Sequence, residues 1–244
     1  MKNSFKKIIS LLLVIVIVIG AVPLTGFVGL ELPELSSLVG IKASATSVYE
    51  KDGFSYIIED DFVKIIDFDT TISGVIVVPS TINGKTVNEI SNHAFYDCTN
   101  ITKITLPATI ETIGSYAFYN CESLAQINLP NSITEIGSRA FEYCDLLDNI
   151  TLPANISAIK ESTFYRCTSL KQITIHKNIS RIESNAFFYC SNLSEISVHD
   201  ELIHIGANAF AGTKFYSDKS NWNDRHCESP SPLKRIAIQQ RDES

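Results

Sequence analysis

Apolar residues recur along most of this chain in a fixed pattern, which reads LxxIxLPxxIxxIxxxAFxxC and has polar residues at most of the intervening positions. Phenylalanine marks the repeat most clearly, at positions that are each 23 residues apart: Phe95, Phe118, Phe141, Phe164, Phe187 and Phe210. Cysteine keeps the same step at Cys98, Cys121, Cys144, Cys167 and Cys190. A constant step of about 20 to 50 residues is typical of solenoids and propellers, and a propeller blade needs about 40 residues. The 23-residue step therefore predicts a solenoid with one coil per repeat.

Each repeat is predicted to contain one short strand, followed by turns that bring apolar residues back to the interior. In the repeat that begins at Leu124, Ile127 and Leu129 alternate with polar residues, which fits a strand with one face on the core. Pro130 cannot donate to a sheet and ends the pairing. Equivalent residues of stacked coils lie about 4.8 Å apart. The Phe and Cys positions given above are therefore predicted to form two columns in the core.

This motif at 23-residue steps resembles the BspA-like leucine-rich repeats of bacterial secreted and cell-surface proteins, over about residues 75–215. The resemblance implies a leucine-rich repeat solenoid that is rich in β-structure, with short parallel strands and about six coils. It also implies the absence of a catalytic centre and a role in adhesion, host-protein binding or protein interaction at the cell surface. It supplies no binding residues.

The first 45 residues have the pattern of a signal peptide. Three lysines precede an apolar run at 8–21, and the small residues at 43–45 fit a cleavage site. We therefore expect residues 1–45 to be removed and the protein to be secreted or displayed at the cell surface. An uncleaved membrane anchor at 9–30 is the alternative, because this stretch is long enough to span a bilayer.

The two ends of the repeat array depart from its pattern. The sequence FSYIIEDDFVKIIDF at 54–68 predicts paired strands, so we assign residues 46–74 to an N-terminal β cap. The Asn83–Gly84 pair predicts a tight turn in the longer first repeat. After Phe215 the 23-residue phase is lost, and residues 216–244 are predicted to form an irregular tail, of which the last ~20 residues are disordered.

Charge excludes one class of partner. The chain has 20 basic and 27 acidic residues, a net charge of −7, without a basic cluster in the repeats. Phosphate binding needs a concentrated basic surface, so nucleic acid is not an expected partner. Association with a membrane after signal cleavage is not expected either, and the protein is predicted to be a monomer.

Cysteine and histidine are the residues that could carry chemistry. The in-phase cysteines would point the same way along a column, so we expect buried free thiols rather than disulfides. Cys227, outside the column, is the candidate for a reactive or intermolecular thiol. His176 and His199 could hold a metal with Asp200 and His204, but replacement of the repeat's prolines is the favoured interpretation. We expect no cofactor, no metal site and no catalytic residues, because no known catalytic or phosphate-binding motif occurs.

Two surfaces remain as binding candidates. The first is the concave face of the strands, where polar residues flank each central apolar residue: Lys103, Thr105, Gln126, Asn128, Asn149, Thr151, Gln172, Thr174, Glu195 and Ser197. A solvated face without a ligand is the alternative. The second is an aromatic stripe beside the core Phe positions, formed by Tyr96, Tyr119, Tyr143, Tyr165, Phe188 and Tyr189. Exposed tyrosines are common at interaction hot spots, but partial burial against the next coil is the favoured explanation of these residues.

The sequence thus predicts a non-enzymatic binding or adhesion module that recognises extracellular proteins or glycans. Two rival hypotheses remain. One is an accessory module or truncated fragment of a larger surface enzyme or multi-domain protein. The other is a hydrolase, for which no residue stands out.

Overall fold

The computed structural model describes residues 47–217. Over this range the chain contains fifteen strands and one short helix, in the order β1 (Val48–Lys51), β2 (Phe54–Glu59), β3 (Phe62–Phe68), β4 (Gly74–Val77), β5 (Thr81–Ile82), β6 (Lys85–Ile90), β7 (Ile101–Thr105), β8 (Thr112–Ile113), β9 (Gln126–Asn128), β10 (Glu135–Ile136), β11 (Ala158–Ile159), β12 (Gln172–Thr174), β13 (Arg181–Ile182), β14 (Glu195–Ser197), β15 (His204–Ile205) and α1 (Lys214–Ser217). Residues 47–217 belong to one compact unit. The predicted signal peptide and nearly all of the predicted tail lie outside the described residues.

The repeats form a β-solenoid of six coils, as the period predicts. We number the coils 1 to 6, and they occupy residues 74–98, 101–121, 124–144, 147–167, 170–190 and 193–213. A first ladder of parallel strands joins β4, β7 and β9 and then β12 and β14. A second parallel ladder joins β6, β8 and β10 and then β11, β13 and β15. The third side, which we call the turn side, carries the Phe and Cys positions and contains no strand.

The turn side is held together by backbone hydrogen bonds that run from each coil to the next. The amide of Phe118 donates to the carbonyl of Ala140 at 2.8 Å, and that of Phe141 donates to Thr163 at 2.9 Å. In every coil the residue two positions before the core Phe has positive φ, and so does the residue two positions after it, as at Tyr116 and Asn120 (φ 57° each). This left-handed geometry is uncommon outside glycine. The chain adopts it here because it lets alternate amides point at the neighbouring coil.

The core Phe rings form the predicted column. All six are fully buried, and neighbouring ring centroids are 5.1 to 5.5 Å apart with planes inclined by 3° to 23°. Phe68 of β3 extends the column into the cap, since its ring stacks on Phe95 at 5.0 Å. Each ring from Phe118 to Phe187 is thus covered by the coil before it and the coil after it.

The five cysteines beside this column are free and buried. From coil 2 onward each thiol donates to the carbonyl of the Phe in the preceding coil, for example Cys144 Sγ to Phe118 O at 3.2 Å. They are therefore hydrogen-bond donors between coils as well as small apolar groups. In coil 6 Thr213 takes this position, and its hydroxyl bonds within its own coil to Phe210 O at 2.7 Å.

The N-terminal cap is an antiparallel sheet that continues into the solenoid. Strands β1, β2 and β3 pair in that order, and β3 then pairs in parallel with β6 of coil 1. The predicted tight turn joins β5 to β6, with φ of 52° at Asn83 and 76° at Gly84. At the other end α1 crosses the boundary predicted at residue 215, so residues 216 and 217 are helical rather than irregular. Phe215 of α1 is buried and covers coil 6.

One strand prediction is wrong. Residues 149–151 of coil 4 form no strand, so Asn149 and Thr151 do not flank a paired segment as the pattern predicts. The first ladder therefore stops at β9 and restarts at β12. The second ladder stops between β10 and β11 as well, so coil 4 is not joined to coil 3 by either ladder.

Removing one ring from the Phe column should destabilise the whole array. Phe141→Ala is expected to lower the free energy of unfolding by about 3 to 5 kcal/mol, because the cavity faces two coils. Urea unfolding followed by circular dichroism measures this. Ile203→Ala is the control, since Ile203 is 77% exposed and its loss should change stability by less than about 0.5 kcal/mol. Equal stability of the two variants would contradict the assignment of the column.

The column thiols should be chemically inert in the folded protein. Burial raises the pKa of Cys98 to about 12 and also raises the pKa of the other four thiols. Because the thiolate is the reactive form, Ellman's reagent at neutral pH should detect no thiol in a folded Cys227→Ser variant. The same reagent should detect all five in urea. Rapid reaction without urea would show that the column opens.

Candidate binding surfaces

The structure gives the exposure of the ten polar residues predicted to line the strands. Nine of the ten are exposed and Thr105 is half-buried. Pairing of β4 with β7 adds Val75 beside Lys103 and Val77 beside Thr105, and these two valines are 62% and 63% exposed. Sequence reasoning missed them because the first repeat lacks the polar residues found there in later repeats. We call the ten predicted residues together with Val75 and Val77 the strand face.

One residue of the strand face is used by the fold. The side-chain amide of Asn128 accepts from the amide of Leu106 at 2.8 Å and donates to the carbonyl of Leu106 at 2.9 Å. It therefore ties coil 3 to coil 2. Gln126 is the first residue of β9 and Gln172 is the first residue of β12, and both side chains are exposed.

A groove of about 370 Å³ runs beside the strand face across coils 3 to 6. It is lined by Ala125, Gln126, Leu146, Asp148, Ser169, Lys171 and Asn192. Leu146 is 52% exposed there, and Lys171 forms an ion pair with Asp148 at 3.3 Å. The groove thus combines an apolar contact with amide, hydroxyl and paired charged groups, and it lies next to the strandless segment of coil 4.

The aromatic stripe is a continuous chain of ring contacts. Tyr96 and Tyr119 stack at 4.7 Å, Tyr165 and Phe188 stack at 5.3 Å, and Tyr143 meets Tyr119 and Tyr165 edge-on at 5.5 and 5.7 Å. Tyr96 and Tyr189 are exposed, whereas the other four are half-buried. Stacking turns the faces of these rings toward neighbouring coils, so the faces are largely occupied by protein.

Basic side chains cover further ring faces near the stripe. The guanidinium of Arg166 lies 5.4 Å from the centroid of Tyr143, and that of Arg139 lies 5.7 Å from Tyr116. Tyr116 also stacks on His93 at 5.0 Å. These contacts extend the stripe by a second row that the sequence pattern did not single out.

Glu142 is a buried carboxylate in the stripe that sequence reasoning also missed. It stands at the position that Tyr119 and Tyr165 occupy in the neighbouring coils, and it is only 5% exposed. Burial raises the pKa of its carboxyl, Arg139 at 3.5 Å lowers it, and Glu161 raises it. The sequence signal for it is the motif AFEYC. Glu142 there takes the position of the tyrosine in AFYNC and TFYRC of the neighbouring repeats, and Tyr143 follows it.

His176 and His199 bond to the backbone. Nε2 of His176 lies 2.9 Å from Pro153 O, and Nε2 of His199 lies 2.9 Å from Ile179 O. A carbonyl only accepts, so Nε2 carries the proton in each ring. Both rings are half-buried. Among residues 47–217 no cluster of three or more His, Cys, Asp or Glu could hold a metal ion.

Six stacked coils, with a short first-ladder strand in all but coil 4, a Phe column and an exposed strand face, define a leucine-rich repeat solenoid. The sequence profile described as "BspA type Leucine rich repeat region" matches six copies over residues 88–216. The chain therefore belongs to the BspA-type leucine-rich repeat family.

Solved structures show the same fold. A T. pallidum leucine-rich repeat protein is 25% identical with a TM-score of 0.62, and the match covers 79% of this chain and 95% of that one. A leucine-rich cell surface protein from Faecalibacterium prausnitzii is 24% identical with a TM-score of 0.58, covering 68% of this chain and 46% of that one. The pneumococcal vaccine antigen PcpA is 24% identical with a TM-score of 0.53, covering 69% and 48% respectively. Comparison with curated protein sequences finds no match.

Several predictions concern residues outside the described range. These are the signal peptide at 1–45, its alternative as an anchor, the tail from residue 218 and the reactivity of Cys227. Between residues 47 and 217, no helix has the length and apolar character that a membrane span requires.

Stability should depend on pH through Glu142. Its pKa is raised in the folded state, so its contribution to stability is full below its unfolded pKa and is lost as pH rises through the folded pKa. Glu142→Gln should therefore be more stable than the wild type at pH 7 and equally stable below about pH 4. Urea unfolding across this range measures the difference.

Glu111→Gln is the matched control for this series, because Glu111 is exposed at the coil surface. It should follow the wild-type curve at every pH. A Glu142→Gln curve parallel to the wild type would show that the buried carboxyl does not titrate with folding.

Proposed function

We propose that this protein is a secreted or cell-surface binding module that recognises an extracellular protein or glycan through its strand face and carries out no catalysis. The observation that carries the proposal is the exposure of nine of the ten predicted residues of that face. Of the ten, only Asn128 is committed to a bond between coils. The remaining side chains are available to a ligand, and strand pairing fixes the backbone behind those of coils 2, 3, 5 and 6.

The chemistry of the strand face suits an uncharged polar ligand surface. Eight of the ten predicted residues are neutral hydrogen-bonding side chains, with Lys103 toward one end and Glu195 at the other. Amides and hydroxyls both donate and accept, so they can pair with peptide groups or sugar hydroxyls. Val75, Val77 and Leu146 add exposed apolar contacts at the edge of this surface.

The aromatic stripe is a weaker candidate for the binding surface. A glycan or apolar partner would use ring faces, and here most of those faces contact a neighbouring ring or a guanidinium. The half-burial of four of its six residues supports a structural role. Only Tyr96 and Tyr189, at its two ends, offer much free surface.

The localisation rests on the family and on the sequence of the leader. The family is one of bacterial surface proteins, and the Faecalibacterium prausnitzii relative is described as a cell surface protein. The apolar run at 8–21 after three lysines supports export of this chain as well. We further propose that the exported protein is monomeric.

A second candidate function is that of an accessory module within a larger surface protein. This chain spans 46% and 48% of the lengths of two solved relatives. In a longer protein the solenoid would present its ligand to another domain. The strand face would serve the same purpose in both cases.

Two variants separate the candidate surfaces. Gln126→Ala/Gln172→Ala/Thr174→Ala strips the strand face, and Tyr96→Ala/Tyr189→Ala strips the exposed ends of the aromatic stripe. The wild type is applied to arrays of extracellular matrix proteins and glycans, and each captured ligand is titrated against both variants. The first variant should weaken binding by at least about tenfold and the second should not. Loss in the second variant alone, or no capture on either array, would contradict the proposal.

A further inference from the structure

The interface between coils 3 and 4 is built differently from the others. The first ladder links coils 1 to 3 and coils 5 to 6, and the second links coils 1 to 3 and coils 4 to 6. Among the described coils, the contact between 3 and 4 is the one that lacks both ladders. By contrast, coils 4 and 5 keep the second ladder through β11 and β13.

The turn side nevertheless remains continuous across this interface. The amides of Arg139, Phe141 and Tyr143 donate to the carbonyls of Glu161, Thr163 and Tyr165, each at 2.9 Å. The rings of Phe141 and Phe164 are parallel within 3° at 5.5 Å. Coils 3 and 4 are thus joined continuously along the turn side. Neither ladder joins them elsewhere, although Asn131 of coil 3 accepts from the Ala154 amide at 2.9 Å and from the Asn155 side chain at 2.7 Å, between the two ladders.

In coils 2, 3 and 6 a glycine follows the second-ladder strand. In coil 4, at the interface that lacks both ladders, a lysine stands at this position. An ideal Cβ on Gly137 or Gly206 would lie 2.3 or 2.4 Å from the backbone of the preceding coil, so these coils touch only because glycine is there. The amides of both glycines also donate to the preceding coil, to Ile113 O and Ile182 O. Coil 4 has Lys160 at this position, and no such ladder bond joins it to coil 3. Its Cβ would meet the backbone of coil 3 if coil 4 packed as closely as coils 3 and 6 pack on the coils before them.

Coil 5 also has a side chain at this position, but it keeps the bond to the preceding coil. Glu183 occupies the glycine position there, and its amide still donates to Ile159 O at 2.9 Å. A side chain is thus accepted where the preceding coil also carries one. The bond is therefore missing at the interface where a coil with Gly137 is followed by a coil with Lys160.

One ion pair stands where the second ladder is missing, and another lies at the edge of the turn side. Lys160 pairs with Glu135 of coil 3, and Arg139 of coil 3 pairs with Glu161 at 3.3 Å. Glu135, Glu161 and both basic groups are partly exposed, so solvent ions can screen these pairs. Beside the uncharged bonds of Asn131, the contacts that replace the ladder bonds therefore include an ion pair that salt weakens.

We propose that the interface between coils 3 and 4 is a salt-dependent joint, about which coils 1 to 3 and coils 4 to 6 pivot on the continuous turn side. The groove crosses this joint, with Gln126 on one side and Leu146 and Asp148 on the other. Pivoting changes the width of the groove and the alignment of the two halves of the strand face. The consequence for ligands rests on the proposed function, whereas the motion itself does not.

Spin labels on the strand face measure the motion without a ligand. In a Cys227→Ser background the buried native thiols stay unlabelled, and nitroxides are placed by Gln126→Cys/Gln172→Cys, a pair that crosses the joint. Val75→Cys/Gln126→Cys is the matched control, also two coils apart but within the unbroken first ladder of coils 1 to 3. Both pairs are about 10 Å apart, since each coil step is about 4.8 Å, and dipolar broadening of the continuous-wave EPR spectrum reports this range.

The joint-crossing pair should show the wider distance distribution. Raising NaCl from about 0.01 M to about 1 M shortens the Debye length from about 30 Å to about 3 Å and should widen this distribution further. The control pair should not respond. Equal widths for both pairs, or a joint-crossing pair that ignores salt, would overturn the proposal. Failure of ligand capture would leave this result intact, so the two proposals fail separately.

Two variants test the cause. Lys160→Gly removes the lysine Cβ and should narrow the joint-crossing distribution to that of the control. Glu135→Gln/Glu161→Gln keeps Lys160 but removes both ion pairs, and it should reproduce the high-salt spectrum at low salt. Hydrogen exchange gives an independent measure, with the Lys160 amide exchanging at least about tenfold faster than that of Gly137 in the wild type. Similar protection of these two amides would contradict the missing ladder bond at Lys160.

Discussion

The stacking of one buried Phe ring per coil is the contact on which the rest of the structure depends. Adjacent rings lie 5.1 to 5.5 Å apart in all five contacts between repeats, close to the spacing of paired strands, about 4.8 Å. One coil step therefore satisfies ring packing and backbone pairing together. Between coils 3 and 4 the rings stay stacked, although both strand ladders are interrupted there. The turn side thus sets the register, and the strands pair where that register allows.

Column packing also decides which substitutions a single coil tolerates. Glu142 enters the stripe because Arg139 of the same coil neutralises part of its charge, while Tyr143 bridges to the rings on either side. Thr213 ends the Cys column because its hydroxyl finds an acceptor in its own coil. Each exception is compensated by a neighbour within one coil step, so it perturbs one interface rather than the array. This locality is what a structure with nearest-neighbour contacts permits.

The period predicts everything that one repeat determines for itself. It gives the Phe and Cys columns, the exposure of residues such as Gln126 and Gln172, and the solenoid class. The cap hairpin at 54–68 is predicted by its local strand pattern, and β2 and β3 form it. The pattern fails at residues 149–151, because strand pairing depends on how closely neighbouring coils approach, which one repeat does not determine by itself. It also could not show that Asn128 is tied to Leu106, since this bond depends on how two coils meet.

The division between the two candidate surfaces follows from the direction in which their side chains interact. Rings of the aromatic stripe stack on rings of neighbouring coils, so their attraction acts between coils and stabilises the array. Side chains of the strand face project perpendicular to the sheet, and there only short polar groups such as Asn128 turn back to the backbone. A surface that contributes little to its own fold can vary without loss of stability, which suits recognition. A joint beneath that surface then adjusts its shape while the Phe column keeps the coils stacked.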